Sequence, residues 1–228
     1  MRIEFLVEDS SGKKLLDEIM KKYIQEMPLF PIEYSILSYK GIGGLVKGAD
    51  GRNVKAQQLL NDLPKRMKAI QAKYWGVPAV SIVIVLDNDT RDTIRFQEDL
   101  EKLAKREEIL IDHVFCIAVE EMEAWLLGDR NALRAAYANV ADRISSKYSS
   151  YKQDSICGTW ECLADMLTKG GIAKFRKKNP TAFGVGRCKS EWAEKIGREM
   201  ELRKNVSPSF QKFLYELDKR RDICFGLK

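Results

Sequence analysis

The run Val80 to Leu86, VSIVIVL, followed at once by Asp87-Asn88-Asp89 and then Asp92, restricts what this chain can fold into more than any other segment. Six of its seven residues are apolar and most are β-branched. Such a run reads as a strand covered on both faces, the kind found in a parallel sheet flanked by helices. In open parallel sheets the working crevice lies past the carboxyl ends of the strands. Carboxylates placed there are crowded and partly dehydrated, and a cation relieves their repulsion. The plainer reading of the same aspartates is a solvated turn with helix N-caps, both of which Asp and Asn favour.

The rest of the first half fits that sheet. Residues 2–7 read as a first strand, and Asp9, Ser10 and Ser11 offer N-caps for a helix carrying Leu15, Leu16, Ile19, Met20, Tyr23, Ile24 and Met27 at helical spacing. Pro28 and Pro31 end it. Residues 32–37 form a second strand, and the glycine-rich, basic stretch 39–51 reads as a mobile loop near the sheet edge. A helix over 56–74, the strand at 80–86, a helix over 93–107, a strand over 113–119 and a helix opening within 120–128 complete a β-α order that predicts a mostly parallel sheet. Beyond residue 133 the pattern is helical, with short helices expected over 160–167, 192–202 and 210–220. The fold class is therefore α/β, with a core over 1–132 and a helical, basic C-terminal extension over 133–228 packed on it.

Charge divides unevenly along the chain. From Lys169 onward, 16 Lys/Arg stand against 7 Asp/Glu, giving +9; the preceding residues hold 23 against 26, giving −3, for a total of +6. An acidic front half and a basic tail suit a metal-dependent enzyme acting on nucleic acid, while the plainer alternative is a basic solvated surface. No apolar run approaches the length of a membrane span, and MRIEFLVED reads as a strand and not as a signal peptide, so a cytoplasmic protein without membrane association is expected. Five scattered cysteines argue against a disulfide scaffold, and no His/Cys pair accompanies Cys157 and Cys162 to make a zinc site.

Acidic residues fall at three strand ends: Glu8, Asp87 with Asp89, and Glu120 with Glu121 and Glu123. If those strands are neighbours, the carboxylates converge. Hard cations such as Mg2+ or Mn2+ take oxygen ligands and keep waters, so two or three carboxylates suffice. A bound ion polarises a phosphodiester and assists the attack of water, chemistry that suits a chain with a single histidine, His113, set in an apolar strand. On a strand end Glu121 and Glu123 share a side; inside a helix Glu120 and Glu123 would pair instead. In the tail, Lys189 is a candidate for stabilising transition-state charge, Ser209 for a phosphate contact, and Lys174, Arg176, Lys177 and Lys178 for backbone contacts. Lys40, with Tyr39 and the glycines after it, suggests a phosphate-side loop. The plainer readings make Trp192, Phe210 and Phe213 core residues and Ser207 the N-cap of a helix with Pro208 at its first position.

LVED at 6–9 before a helix and LDND at 86–89 ending a buried strand are similar to the Toprim arrangement of one glutamate and a D-x-D pair, known in topoisomerases, primases and overcoming-lysogenization-defect nucleases. More closely, LVEDSSGKKLL at 6–16, YKGIGG at 39–44, LDND, CIAVEEMEAWLLGD at 116–129, DSICGTWECLAD at 154–165, KSEWAEKI at 189–196 and SPSFQKFL at 207–214 resemble a Toprim-like family, domain of unknown function 4276 (DUF4276). The resemblance implies a Toprim-like fold and a divalent-metal-dependent nuclease, in phage defence beside a partner ATPase. It makes Glu8, Asp87 and Asp89 metal ligands and catalytic groups, with one of the acidic pair Glu121 and Glu123 completing a second metal site. The chain departs from the Toprim pattern in having Asp9 after the glutamate and Ser11 or Gly12 where a further acid is usual. An alternative is a non-catalytic, regulatory or nucleic-acid-binding subunit of an ATPase complex. A small phosphate ester as substrate is a third reading, which the +9 tail disfavours.

Overall fold

The computed structural model describes residues 1–43 and 58–227. Apolar runs alternate with amphipathic helices through the first half: β1 (Arg2–Val7), α1 (Ser10–Glu26), β2 (Glu33–Ser38), α2 (Leu59–Lys73), β3 (Val80–Asp87), α3 (Thr93–Arg106) and β4 (Asp112–Ala118). The second half is helical, with α4 (Glu123–Leu127), α5 (Arg130–Ala136), α6 (Ala141–Tyr148), α7 (Thr159–Leu167), α8 (Gly171–Lys178), α9 (Ala182–Glu199) and α10 (Pro208–Phe225). Most of the expected 39–51 loop lies outside the described residues.

The four strands run parallel, as the β-α alternation predicts, and their order is β2-β1-β3-β4. Strand pleating splits β3 between two cores. Val83 and Val85 join Ile3, Phe5 and Val7 beneath α1, α9 and α10, while Ile82, Ile84 and Leu86 join Leu6 beneath α2 and α3. All five of these β3 side chains are fully buried, which explains the unbroken apolar run. Because β1 leads outward to β2 while β3 leads outward to β4, the chain reverses its winding between β1 and β3. The carboxyl-end crevice opens at that switch point.

Local sequence starts each critical helix. Asp9 caps α1, its Oδ1 accepting the Gly12 N–H at 2.8 Å, and Asp92 caps α3 by accepting the Arg95 N–H at 2.8 Å. A Cβ on Gly12 would stand 2.6 Å from Val7 Cγ2 and 2.8 Å from Met122 Sδ, so α1 starts this close to β1 only with glycine there. Ser207 caps α10, which begins at Pro208. Its buried hydroxyl also donates to Asp154 Oδ1 at 2.8 Å. Ser207→Ala is expected to lower stability by about 1–2 kcal/mol, checked by chemical denaturation; an unchanged midpoint would show that the cap contributes nothing.

The helical half differs from its sequence reading in extent. The helix expected to begin at Trp192 starts at Ala182, capped by Thr181, whose Oγ1 accepts the Gly184 N–H at 3.1 Å. Gly184 and Gly186 conceal that start, since glycine is a poor helix former. Helices α5, α6 and α8 are too short to show periodicity. The 160–167 and 210–220 helices stand one and two residues earlier than expected at their starts, and the second runs on to Phe225. One hydrophobic cluster joins sheet to tail: Phe213 lies 6.4 Å from Phe5 and 4.9 Å from Trp125, ring centre to ring centre.

Candidate functional site

The register decides which acids meet. Val7 lies opposite Val85 and Asp87 opposite Ala118, so Glu8 leaves β1 beside the end of β3, and the chain after β4 passes on the far side of Asp87. Helix α9 packs along α1 and carries Lys189 two turns inside it. Lys189 is therefore held by a packed helix, and not by a segment ahead of one as its sequence suggests. Its Nζ stands 3.3 Å from Glu121 Oε2 and 3.4 Å from Glu123 Oε2. The structure thus gathers Glu8, Asp87, Glu121, Glu123 and Lys189, with Asp9 at their edge.

These charges are poorly hydrated and unequally matched. Burial, reinforced by Asp89 and Asp9, pushes the Glu8 carboxyl up to about 7. Burial, followed by the charges of Glu8 and Glu123, drives Asp87 well above the usual carboxylate range despite Lys189. Burial and then Glu123 push Glu121 up to about 7, and burial raises Glu123 although Lys189 opposes it. For Lys189 burial pulls downward, but Glu123, Glu121 and Asp87 outweigh it and hold the ammonium above its ordinary value. One ammonium cannot neutralise four carboxylates. Glu8 Oε2 and Asp87 Oδ1 are buried without any hydrogen-bond partner, a costly arrangement unless a proton or a cation meets them.

Glu120, the third acid after β4, faces elsewhere. Its backbone adopts φ +63°, a left-handed turn that rotates its side chain away from Glu121. Its carboxylate accepts the N–H groups of Cys157 at 3.0 Å, Gly158 at 2.9 Å and Thr159 at 2.9 Å, and the Thr159 hydroxyl. Burial would raise it, but these donors hold it below the usual value. The Glu120 backbone meanwhile serves β3: its N–H donates to Asn88 Oδ1 and its carbonyl accepts the Asp89 N–H at 3.0 Å. Buried Asn88 also donates to the Arg91 carbonyl at 2.9 Å and to Thr93 Oγ1 at 2.7 Å. Asn88 and Glu120 thereby fix the β3 and β4 loops to each other, a role the sequence reading missed. The signals were an amide between two aspartates and a helix, α7, whose N-cap glycine has no side chain to accept its first N–H groups.

The remaining candidates are dispersed. Asp89, at φ +48°, lies on the exposed rim and pairs with Arg91 at 2.6 Å. Lys40 is exposed beside Gly41, whose N–H donates to the Glu8 carbonyl at 3.1 Å, so it borders the cluster. Lys174, Arg176, Lys177 and Lys178 are exposed on α8, where Arg176 meets Glu161 at 3.5 Å. Ser209 accepts the Trp125 indole N–H at 2.9 Å, and its own N–H donates to Asp154 at 2.6 Å. His113 accompanies none of these, its Nδ1 lying 2.9 Å from the Ile111 carbonyl.

Among the described residues, no three His, Cys, Asp or Glu side chains stand at the spacing of a finished metal-ligand set. The donors nonetheless fit a hard cation: all are carboxylate oxygens, and three of them, on Glu8, Asp87 and Glu121, are buried without a hydrogen-bond partner, the last meeting only the Lys189 ammonium at 3.3 Å. No helix among the described residues is long and apolar enough to cross a membrane. No curated protein and no solved structure shows significant similarity to the chain. The profile of one family, described as a domain of unknown function (DUF4276), matches residues 7–218, a span that includes the whole acid–lysine cluster, and the chain belongs to that family.

Proposed function

We propose that this chain is a divalent-metal-dependent phosphodiester hydrolase acting on nucleic acid in the cytosol. The observation that carries the reading is the pair of buried, unpartnered oxygens, Glu8 Oε2 and Asp87 Oδ1, at the sheet's switch point beside a lysine-neutralised pair of glutamates. Asp87, with Asp89 joining from the rim once it leaves Arg91, would hold Mg2+ or Mn2+, which supplies Lewis-acid polarisation of a phosphodiester oxygen. Glu8, at about 7, is poised to accept a proton from the attacking water at neutral pH. Lys189 offsets the charge of Glu121 and Glu123 and offers a donor for charge developing on the phosphoryl group. Lys40 at the rim and the α8 lysines offer phosphate contacts whose strength falls with salt. The Toprim likeness of LVED and LDND supports the same chemistry and motivates a role in phage defence beside a partner ATPase.

One observation favours a second reading. No finished ligand set stands among the described residues, and the cation between Glu121 and Glu123 is the Lys189 ammonium. A Toprim-like subunit that binds nucleic acid and regulates an ATPase without cutting would look the same. Purified protein incubated with plasmid, linear duplex, single-stranded DNA and RNA in Mg2+ or Mn2+ separates the two. The hydrolase reading expects cleavage that EDTA stops and that Glu8→Gln lowers about 10²–10³-fold, the range seen when one transition-state contact is removed. Saturable, salt-sensitive binding with every substrate intact would remove that reading and leave the second.

A further inference from the structure

Outside the acid–lysine cluster, two nucleophilic side chains lie side by side at the start of α7. Cys157 is exposed in the segment leading into the helix, and Cys162 is half-buried in its opening turns. Their sulfurs are 3.7 Å apart, in contact, with both side chains already turned toward each other. The backbone between them is pinned. Glu120 takes the N–H groups of Cys157, Gly158 and Thr159, and the Cys162 N–H donates to the Gly158 carbonyl at 2.9 Å. Sulfurs in contact at 3.7 Å have a short approach left to the roughly 2 Å of a disulfide bond.

We infer that Cys157 and Cys162 form a reversible intrachain disulfide, an oxidative modification site for peroxides at the mouth of α7. Exposure makes Cys157 the first thiol to react. The thiol gives up its proton, the thiolate sulfur attacks one peroxide oxygen, and the O–O bond breaks; hydroxide leaves and takes up that proton as water, and sulfenic acid remains on Cys157. The Cys162 sulfur then attacks the Cys157 sulfur, the S–S bond forms, and hydroxide leaves and takes up the Cys162 proton as a second water. Two thiols lose two electrons and one hydrogen peroxide gains them. A dithiol reductant returns the pair to its starting state. Burial, together with the Cys157 thiol and the charge of Glu120, pushes the Cys162 thiol up to about 12, so it does not compete with Cys157 for peroxide. The bridge would tie the Glu120-held segment covalently to the helix that it opens.

Peroxide treatment of the full chain, followed by alkylation and mass spectrometry, tests this. The expected result is loss of two of the five alkylatable thiols. The peptide spanning 153–169 should be about 2 Da lighter, as removal of two hydrogens requires, and dithiothreitol should restore both thiols. Cys162→Ser should abolish the 2 Da loss and leave a sulfenic acid on Cys157 that dimedone traps. Five intact thiols, a disulfide-linked dimer, or wild-type protein carrying oxidised Cys157 beside an alkylatable Cys162 would each overturn the proposal. These readouts do not depend on any hydrolytic activity.

Discussion

Replacement of Lys189 by methionine is expected to destabilise the metal-free protein by about 3–5 kcal/mol at neutral pH, the usual consequence of removing one member of a buried ion pair. For a chain of this size that is a fall of roughly 6–20 °C in melting temperature. The side chain is mostly covered and lies within 3.4 Å of both Glu121 and Glu123, so its loss leaves the acids without their internal cation. Lowering the pH should shrink the deficit, because the abandoned carboxyls then protonate. Added Mg2+ or Mn2+ should shrink it as well, because an outside cation takes the ammonium's part. Calorimetry of both proteins at two pH values, with EDTA and with each metal, gives the comparison. Equal melting temperatures for wild type and Lys189→Met at pH 7.5 would show that the ammonium does not hold the cluster together.

Asp87→Asn is expected to move stability and activity in opposite directions. The carboxyls of Glu8, Asp87, Glu121 and Glu123 are all raised in the folded state, chiefly by burial. An acid whose folded pKa exceeds its unfolded one binds more protons when folded, so its stabilising contribution is complete below the unfolded value and is lost as pH rises through the folded one. For Glu8 and Glu121 that window runs from 4.5 to about 7. Metal-free wild-type protein should therefore lose stability steadily across it. Asparagine removes one of these poorly hydrated charges, so the variant should melt higher than wild type above pH 7 and depend less on pH. Metal-dependent cleavage should fall about 10³-fold, since the proposed ligand is gone. A variant that melts lower than wild type in EDTA at pH 7.5 would contradict the electrostatic account. One that cleaves as fast as wild type would remove Asp87 from the site.

The sheet was legible because its signals are local. The run at 80–86 and the strand pattern at 2–7 each carry their own periodicity, and the chain's β-α alternation implies a parallel order. Which strands are neighbours was not legible, and it is the observed pairing of β1 with β3 that brings Glu8 and Asp87 together. The side of the site built after β4 was less legible. Glu120, Glu121 and Glu123 are chemically alike, and only the left-handed backbone at Glu120 sends it to α7 while its neighbours face Lys189. A positive φ in a non-glycine residue is set by surrounding contacts, here the Asn88 and Asp89 hydrogen bonds, which join segments distant in sequence. Lys189 stood out as a candidate, yet its helix was hidden behind Gly184 and Gly186, and no local pattern tells that α9 lies along α1.

That packing of α9 on α1 has a consequence for how the molecule comes into being. Glu8, Asp87, Glu121 and Glu123 are all made before the ammonium that answers them, and chains emerge from synthesis N-terminus first. Until residues 182–199 have emerged and docked, the crevice holds four acids and no internal counter-charge. Taking up protons or recruiting an outside cation then relieves the nascent chain, and early docking of the sheet against its final helices is disfavoured. The last third of the chain thus completes the fold as much electrostatically as by covering a face, and a fragment ending near residue 132 would keep the acids while lacking their partner.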